Sequence, residues 1–169
     1  MKIIGISGKK GSGKDTVADI LINLHKETKI GKIGFASAIK SEISRAIGLP
    51  DFFIDNHKDN FRLILQGWGT DFRRKLYSED YWLKKMDQAL ALFESVGYSV
   101  VIIPDVRFLN EAKYVKDRDG LLIRVTRPMS GPIDIHRSET ELDDSTFDVT
   151  INNDKDLNHL IQLVKYTVI

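Results

Sequence analysis

The hydrophobic residues of the chain form short, nearly continuous runs instead of alternating with polar residues. Such runs are typical of strands buried on both faces of a parallel sheet, whereas half-exposed strands alternate apolar and polar positions. The runs are spread over the whole sequence, with longer polar and mixed segments between them. The predicted strands are residues 2–6, 32–35, 100–103, 121–125 and 149–151.

Between these runs, apolar residues recur at intervals of three and four positions, which places them on one face of an α-helix. Val17, Ile20 and Leu21 show this spacing after the first run, and Leu157 and Leu160 show it near the end. Because strands and helices alternate, the pattern favours an α/β fold with a parallel sheet. The other predicted helices are residues 38–47, about 81–95 and 110–116.

Two segments interrupt this alternation. Residues 36–97 contain far more helix than one crossover needs, and residues 128–140 form a polar segment with two prolines and a glycine. Long insertions in compact domains are usually functional, although both segments could instead be surface elaborations. In a phosphoryl-transfer enzyme, we expect the first to bind the acceptor and the second to form a mobile lid within a single domain.

Composition limits the classes of function. A chain of 169 residues with 42% hydrophobic and 29% charged residues is ordinary for one soluble domain. The formal net charge of +1 favours small anionic ligands over nucleic acid, and the absence of cysteine excludes disulfides and thiol chemistry. With no signal peptide, transit peptide or membrane-spanning run, we expect a cytoplasmic protein that does not contact membranes.

The clearest chemical motif follows the first predicted strand and precedes the first helix. Residues 8–15 read G-K-K-G-S-G-K-D, the spacing of a phosphate-binding loop. Gly8, Gly11 and Gly13 allow backbone N–H groups to point at phosphate oxygens, and Lys14 adds a positive charge. The helix N-terminus that follows is itself an anion site. The alternative is a glycine- and lysine-rich turn that binds no ligand.

Asp15 stands where such loops usually have Ser or Thr, whose hydroxyl ligates Mg²⁺. Its carboxylate could hold the metal directly or through water. Alternatively, Asp15 is there because the helix dipole favours an acid, and Thr16 supplies a hydroxyl to the phosphates.

Asp105 and Arg107 follow the strongest apolar run, at the expected carboxyl edge of the sheet. Asp105 is predicted to hold Mg²⁺ through water or to accept a hydrogen bond from the acceptor. It could also cap the helix near Asn110. The planar guanidinium of Arg107 suits a phosphate, with a structural pair to Asp105 or Glu111 as the alternative.

The segment L-Q-G-W-G-T-D-F-R-R, residues 65–74, combines small, aromatic and basic residues. Gln66 is a candidate for a hydrogen bond to a base, and Trp68 for stacking on a base or for packing. Either Arg73 or Arg74 could clamp an acceptor phosphate, but neighbours on a helix point in different directions, so we expect only one to enter the site. Trp82 is expected to be a packing residue.

A basic group surrounds the predicted lid and comprises Arg124, Arg127, His136 and Arg137. A closing loop that carries arginine can stabilise charge on a transferred phosphoryl group while water is excluded. His136 is a weak candidate for a general base, because phosphoryl transfer depends more on positioning and electrostatics than on proton abstraction.

Five segments together resemble the bacteriophage deoxynucleoside monophosphate kinases, over most of the chain. The first of them, residues 8–16, is shared with phosphomevalonate kinases. The five are G-K-K-G-S-G-K-D-T (8–16), F-A-S-A-I-K (35–40), L-Q-G-W-G-T-D-F-R-R (65–74), D-V-R-F-L-N-E-A (105–112) and H-R-S-E (136–139). Ser37 stands where the family pattern leads us to expect an acid.

The resemblance implies a three-layer sandwich of the phosphate-loop NTPase type, with five parallel strands in the order 2-3-1-4-5. It also implies roles for individual residues. The loop from Gly8 through Ser12 and Lys14 to Thr16 would bind ATP phosphates, and the loop after the last strand would place Asn152 and Asn153 near adenine. The residues around the deoxynucleotide would be Phe35, Lys40, Arg73, Arg74 and Arg107. The lid would include Arg127 and Arg137.

The resulting prediction is a kinase that moves the γ-phosphoryl group of MgATP onto a deoxynucleoside monophosphate by direct in-line transfer. No covalent intermediate and no obligatory base are expected. The alternatives are a kinase of phosphomevalonate or dephospho-coenzyme A, a polynucleotide 5′-kinase, and a nucleotide-binding regulator without turnover. If the chain is phage-encoded, it would act in the host cytoplasm, and Phe52 and Phe53 suggest a homodimer interface.

Overall fold

The computed structural model describes residues 1–128 and 135–168 of the chain. Within them, five parallel strands form one sheet in the order β2-β3-β1-β4-β5, which confirms the predicted architecture and strand order. The strands are β1 (Lys2–Ser7), β2 (Ile30–Lys32), β3 (Val100–Val106), β4 (Leu121–Thr126) and β5 (Val149–Asn152).

Helices cover both faces of the sheet, so that neighbouring strand residues are buried on opposite sides. Ile4 packs with the helices at the two ends of the chain, whereas Ile3 packs with the helices between them. Burial on both faces explains why the strand sequences do not alternate. The helices of the first face are α1 (Lys14–Leu24) and α8 (Leu157–Val168); those of the second are α2 (Phe35–Ile47), α5 (Tyr81–Ser95) and α6 (Leu109–Lys116).

The second strand differs from its prediction. Residues 32–35 were expected to form it, but β2 spans Ile30–Lys32 and Phe35 is the first residue of α2. The predicted run was wrong because Gly34 precedes a helix N-terminus whose free N–H groups are bound by an acid from another strand. The apolar side chain of Phe35 is buried because this helix end packs on the sheet.

Residues 36–97 contain most of the helical excess, as the sequence predicts. After α2 come α3 (Asp51–Asn56), α4 (Lys58–Gln66), a π-helical segment (Gly67–Lys75) and α5. Trp82 of α5 is 1% exposed, and its indole N–H donates to the Gly69 carbonyl oxygen at 2.9 Å, so it is a core residue.

The segment predicted as a lid, residues 128–140, lies partly outside the described residues, which resume at Ile135. Its last part forms a short helix, α7 (Arg137–Thr140). Among the described residues, no helix is both long and apolar enough to cross a membrane.

Candidate functional site

The carboxyl ends of three neighbouring strands meet around the loop that follows β1. Ser7 at the end of β1 pairs with Val106 of β3 on one side and with Arg124 of β4 on the other. Because parallel strands place their carboxyl ends at one edge, the glycine loop, Arg107 and Arg127 converge there. The sheet therefore assembles a cationic edge from residues that are far apart in sequence.

The glycine loop has a backbone that other residues could not adopt without strain. Gly11 and Gly13 have φ angles of 77° and 97°, in the left-handed region. A Cβ atom at Gly13 would lie 2.5 Å from the side-chain nitrogen of Asn153, and one at Gly8 would lie 2.4 Å from the Val125 carbonyl oxygen. The loop is therefore packed against the ends of β4 and β5 as well as being turned sharply.

Two polar side chains of this loop are buried. Ser12 Oγ has no hydrogen-bond partner among the described residues. Lys14 is 7% exposed, and its Nζ donates to the carbonyl oxygen of Lys9 at 2.8 Å. A buried hydroxyl without a partner and a buried ammonium that donates to a carbonyl oxygen are costly among the described residues, but both suit an anionic ligand. The loop therefore fits the phosphate tail of a nucleotide.

Several charged side chains near Lys14 change its pKa. Burial, together with the nearby Arg107 guanidinium, lowers the pKa of Lys14 to about 8. Glu139 is the strongest of the acids that oppose this change, followed by Asp15 and Asp105. An incoming phosphate would add negative charge beside Lys14 and favour its ammonium form.

Asn153 binds the glycine loop from the opposite end of the chain. Its Nδ2 donates to the Ser12 carbonyl oxygen at 2.9 Å, and its backbone N–H donates to Thr126 at 2.7 Å. Asn152 is exposed, and its Oδ1 accepts a hydrogen bond from Thr126 Oγ1. Of the two residues predicted to lie near adenine, Asn153 therefore contacts the glycine loop and holds its backbone, whereas Asn152 bonds Thr126.

Asp105 has partners that the sequence did not indicate. Its two carboxylate oxygens accept hydrogen bonds from the backbone N–H groups of Phe35 and Ala36, both at 2.8 Å. A Cβ at Gly34 would lie 2.5 Å from this carboxylate, so glycine is needed for the close approach. Asp105 therefore caps α2, whereas the sequence alternative had placed it on the helix near Asn110.

Asp15, the other predicted metal ligand, is solvent-exposed. Its side chain is 76% exposed and lies 3.6 Å from the Lys32 ammonium. Within the described ranges, no group of three or more His, Asp or Glu residues is arranged to hold a metal ion. A carboxylate at this position matches the way Mg²⁺ is usually bound, by one or two protein carboxylates with phosphates and waters. Thr16 follows on α1 and is exposed.

Arg107 faces the glycine loop and contacts α7. Its guanidinium donates to the Ser138 carbonyl oxygen at 3.2 Å and to the carboxylate of Glu139. Its backbone N–H donates to Glu111 at 2.7 Å. The Arg107 side chain is 27% exposed, so the guanidinium lies at the wall of the site and remains accessible to a ligand.

The two adjacent arginines of the π-helical segment point in different directions, as their helical spacing requires. Arg74 is 3% exposed, and its guanidinium is paired with Glu111 and also bonded to Asn110. Burial raises the pKa of Glu111, while Arg74 and the backbone N–H groups of Arg107 and Phe108 favour its ionised form. This pair braces α6 against the π-helical segment, and the Arg74 guanidinium also donates to the Glu79 carbonyl oxygen at 3.1 Å.

Arg73 instead belongs to a polar cluster around Glu42 of α2, which we call the Glu42 cluster and which also comprises Trp68 and Tyr81. The Glu42 carboxylate accepts hydrogen bonds from Arg73 Nε at 2.8 Å, from Trp68 Nε1 at 3.1 Å and from the Tyr81 hydroxyl. Although partial burial favours the neutral acid, these three donors hold the pKa of Glu42 below its ordinary value. The Arg73 guanidinium also lies near three aromatic rings, those of Trp68, Phe72 and Tyr81.

The remaining predicted residues lie around this region. Lys40 Nζ bonds Asp55 at 2.7 Å, and Gln66 is half-buried at the end of α4. Arg127 is exposed just after β4. Arg137 bonds Glu79 at 2.7 Å and Glu141 on its own segment.

Three residues of this region were missed by sequence reasoning as individual site residues. Glu139 stood in the H-R-S-E segment without a role, and it is buried beside the loop. Arg62 of α4 lies 3.5 Å from Glu139, and Glu42 lies on α2. No local pattern could have identified Arg62 or Glu42, because the partners that give them significance are distant in sequence.

Comparisons with known sequences place this chain among kinases. The sequence profile of the deoxynucleotide monophosphate kinase family matches residues 51–164. A protein of Acanthamoeba polyphaga mimivirus, provisionally named a deoxynucleotide monophosphate kinase, is 31% identical over 92% of this chain and 90% of its own length. The phosphomevalonate kinase of Drosophila melanogaster is 28% identical over 94% of this chain and 91% of its own.

Solved structures support the fold independently. The APS kinase of Mycobacterium tuberculosis in complex with AMPPNP and APS superposes with a TM-score of 0.52 at 14% identity, covering 98% of this chain and 95% of that one. A sugar kinase from Janibacter gives 0.51 at 14% identity, with 99% and 94% coverage. At such identities the likeness shows the fold alone, and it confirms the predicted phosphate-loop sandwich.

Proposed function

The chain belongs to the deoxynucleotide monophosphate kinase family, and we propose that it transfers the γ-phosphoryl group of ATP to the phosphate of a deoxynucleoside monophosphate. Because the members of this family are kinases, the chain is a phosphotransferase enzyme. The observation that carries the more specific proposal is that the buried Lys14 and the partly exposed Arg107 lie close enough at the carboxyl edge of the sheet for Arg107 to lower the pKa of Lys14. Their like charges are tolerable only beside anions, and two phosphorylated substrates would supply them.

The donor phosphates would lie in the glycine loop. The backbone of Gly8 to Gly13, the unpaired Ser12 hydroxyl and the Lys14 ammonium all suit phosphate oxygens. The adenine would lie near Asn152, beyond the loop end that Asn153 holds. This arrangement gives Asn153 a role in shaping the loop in addition to any contact with the base.

A magnesium ion would accompany ATP, with Asp15 as the protein carboxylate that holds it through water. Asp15 fits because it adjoins Lys14 and is exposed, whereas both oxygens of Asp105 are used by the α2 backbone. When bound, Mg²⁺ neutralises charge on the donor phosphates. We therefore propose that Asp105 positions the N-terminus of α2 and that Asp15, and not Asp105, holds the metal ion.

The acceptor would lie between Arg107 and the Glu42 cluster. Glu42 is seven residues along α2 from Phe35, which corresponds to about 10 Å at the rise of an α-helix. Phe35 is next to the end of β3 through Asp105, so a nucleotide lying along α2 would place its phosphate near Arg107 and its base near Trp68. Arg73, not the buried Arg74, would contact the acceptor, and we keep Lys40 and Gln66 as further candidates for contacts with it.

The chemistry follows from this charge distribution. An acceptor phosphate is already ionised near neutral pH, so its oxygen can attack without a general base. The main obstacle is repulsion between two anionic substrates, which Lys14 and Arg107 offset in a region of low solvent exposure. Arg127 precedes the predicted lid and Arg137 lies near its end in the sequence, and we propose that both would add positive charge to the site.

The partners proposed are small nucleotides and neither nucleic acid nor membrane, in keeping with the net charge of +1. Phe52 and Phe53 are 66% and 37% exposed on α3, and a homodimer through this helix remains a prediction. The phage origin and cytoplasmic location likewise remain predictions from sequence.

A product assay tests the function. ATP is incubated with each deoxynucleoside and ribonucleoside monophosphate in turn, and the nucleoside diphosphates are separated by chromatography. We expect acceptor-dependent ADP and a deoxynucleoside diphosphate in equal amounts, and we expect Lys14→Ala to reduce turnover by about 100-fold or more. ATP binding without any acceptor-dependent product would indicate a regulator instead.

A kinase of phosphomevalonate is the second candidate, because the Drosophila relative covers nearly the whole chain at 28% identity. The donor site would be the same, and the acceptor would lack a base. Adding phosphomevalonate to the same assay separates the two candidates: turnover with this acceptor and none with nucleotides would replace the proposed function.

A further inference from the structure

Glu139 places a buried carboxylate against the glycine loop. It lies on α7, and its side chain is 3% exposed. One oxygen, Oε2, accepts a hydrogen bond from the backbone N–H of Lys10, within the loop, at 2.9 Å. The other, Oε1, is bound by the Arg107 guanidinium and lies 3.5 Å from Arg62.

These partners are the groups that would bind a phosphate. A loop N–H and two guanidinium groups form the usual set of donors for a phosphate oxygen. Glu139 is also the acid with the largest favourable effect on the Lys14 ammonium. A buried carboxylate needs such partners to offset its lost hydration, and all of those described here belong to the site.

We propose that Glu139 is an internal anion that occupies part of the phosphate site in the ligand-free enzyme and that an incoming phosphate displaces it. The inference rests on the proposed function, because it takes the loop and Arg107 to be the phosphate site. It assigns Glu139 a role in setting affinity, because a phosphate oxygen cannot bind the Lys10 N–H or the Arg107 Nη1 group while the carboxylate holds them.

Two consequences follow for substrate binding. The apparent association constant for a phosphate ligand equals the intrinsic constant multiplied by the fraction of molecules in which the carboxylate has left the site. The more firmly the carboxylate is bound, the weaker the ligand binds. Displacement by the first substrate also removes the carboxylate from Arg107, so the second substrate binds to a site from which the carboxylate has already left. Binding of donor and acceptor is therefore expected to be positively cooperative.

A different role would give the opposite result. If Glu139 were only a brace for the loop and Arg107, its removal would loosen both and weaken phosphate binding. If it were an internal competitor, its removal would strengthen binding, although the protein itself would lose stability. The sign of the change in affinity therefore separates the two roles.

The test is isothermal titration calorimetry of the full chain with inorganic tripolyphosphate and, separately, with ATP. We expect Glu139→Gln to bind tripolyphosphate about 10-fold more tightly than the wild type, because the variant keeps the shape and removes the competing charge. Asp144→Asn is the matched control, since it makes the same charge change at an exposed position beyond α7 and should leave the affinity nearly unchanged.

Glu139→Asp provides the second variant, because it keeps the charge and withdraws the carboxylate by one methylene from the Lys10 N–H. Tighter binding is expected here too, and it decides the matter if Glu139→Gln does not fold. Weaker or unchanged binding in the folded variants overturns the inference. If the wild type still binds ATP in that case, the proposed function stands; if neither the wild type nor any variant binds either ligand, both are overturned.

Discussion

Asn153 donates a hydrogen bond from Nδ2 to the carbonyl oxygen of Ser12 at 2.9 Å, across 141 residues of sequence. The same nitrogen would lie 2.5 Å from a Cβ atom at position 13, so the amide fills the space that glycine leaves there. The shape of the glycine loop is thus maintained jointly by its own glycines and by a residue that follows the last strand.

Removing this amide should weaken both the fold and ATP binding. Asn153→Ala leaves the buried Ser12 carbonyl oxygen without its partner, which costs about 1–3 kcal/mol. We expect that loss in urea unfolding and a weaker ATP affinity in calorimetry. Asn158→Ala, an exposed change of the same kind on α8, should affect neither. An Asn153→Ala protein with wild-type affinity would show that the loop holds its shape unaided.

ATP binding should depend on pH through Lys14. In the free protein the pKa of Lys14 is about 8 because burial disfavours the ammonium, and bound phosphate should raise it again. Between the free and bound pKa values, binding takes up a proton, so affinity falls as pH rises through about 8. Calorimetry at a pH near 9, in buffers that differ in ionisation enthalpy, measures this uptake.

The control for that titration is Lys14→Arg, which stays protonated throughout and should show no uptake linked to this position. Equal proton uptake by wild type and variant would assign the effect to another group.

Breaking the buried Arg74–Glu111 pair should destabilise the protein strongly. Arg74→Met leaves the Glu111 charge buried without its guanidinium, at a cost of about 3–5 kcal/mol near neutral pH. Without the guanidinium, burial raises the pKa of Glu111 further above its unfolded value. The folded state then binds the extra proton between those two pKa values, so the stability lost by the variant should return as pH falls through that window.

Guanidinium chloride unfolding of the variant at several pH values tests this. The double variant Arg74→Met/Glu111→Gln removes the charge and should recover part of the stability at neutral pH. A loss that is independent of pH and unchanged in the double variant would mean that the charge is not its cause.

Glu42 should affect the acceptor and leave the donor nearly unaffected. Glu42→Gln keeps the shape of the side chain but loses the charge that holds Arg73 Nε. Because a hydrogen bond to a charged group contributes about 1.5–3 kcal/mol, we expect the KM for the acceptor to rise about 10-fold or more while the KM for ATP stays near its wild-type value. Steady-state kinetics with each substrate varied in turn measures both.

Glu94→Gln, an exposed change on α5, is the matched control and should alter neither constant. Equal increases in both KM values for Glu42→Gln would point to a general loss of structure and would argue against an acceptor site at the Glu42 cluster.

Much of the architecture could be read from local sequence. Apolar runs indicated five parallel strands, and the spacing of Gly8, Gly13 and Lys14 indicated the loop, because both signals depend on residues close together in the chain. The order of the strands came from the resemblance to known kinases. The second strand was misplaced because its apolar run continues into a helix whose start is set by Asp105, a residue from another strand.

What the sequence alone determined, then, is the phosphate loop, the fold class and the expectation that one of two neighbouring arginines is turned inward. Only the tertiary structure decided that Arg74 is the buried one, that Asp105 holds α2 and that Glu139 lies against the loop. The physical reason is that a charged side chain takes its role from the partner that compensates its burial. These partners come from other elements of the fold, and neither spacing nor composition identifies them.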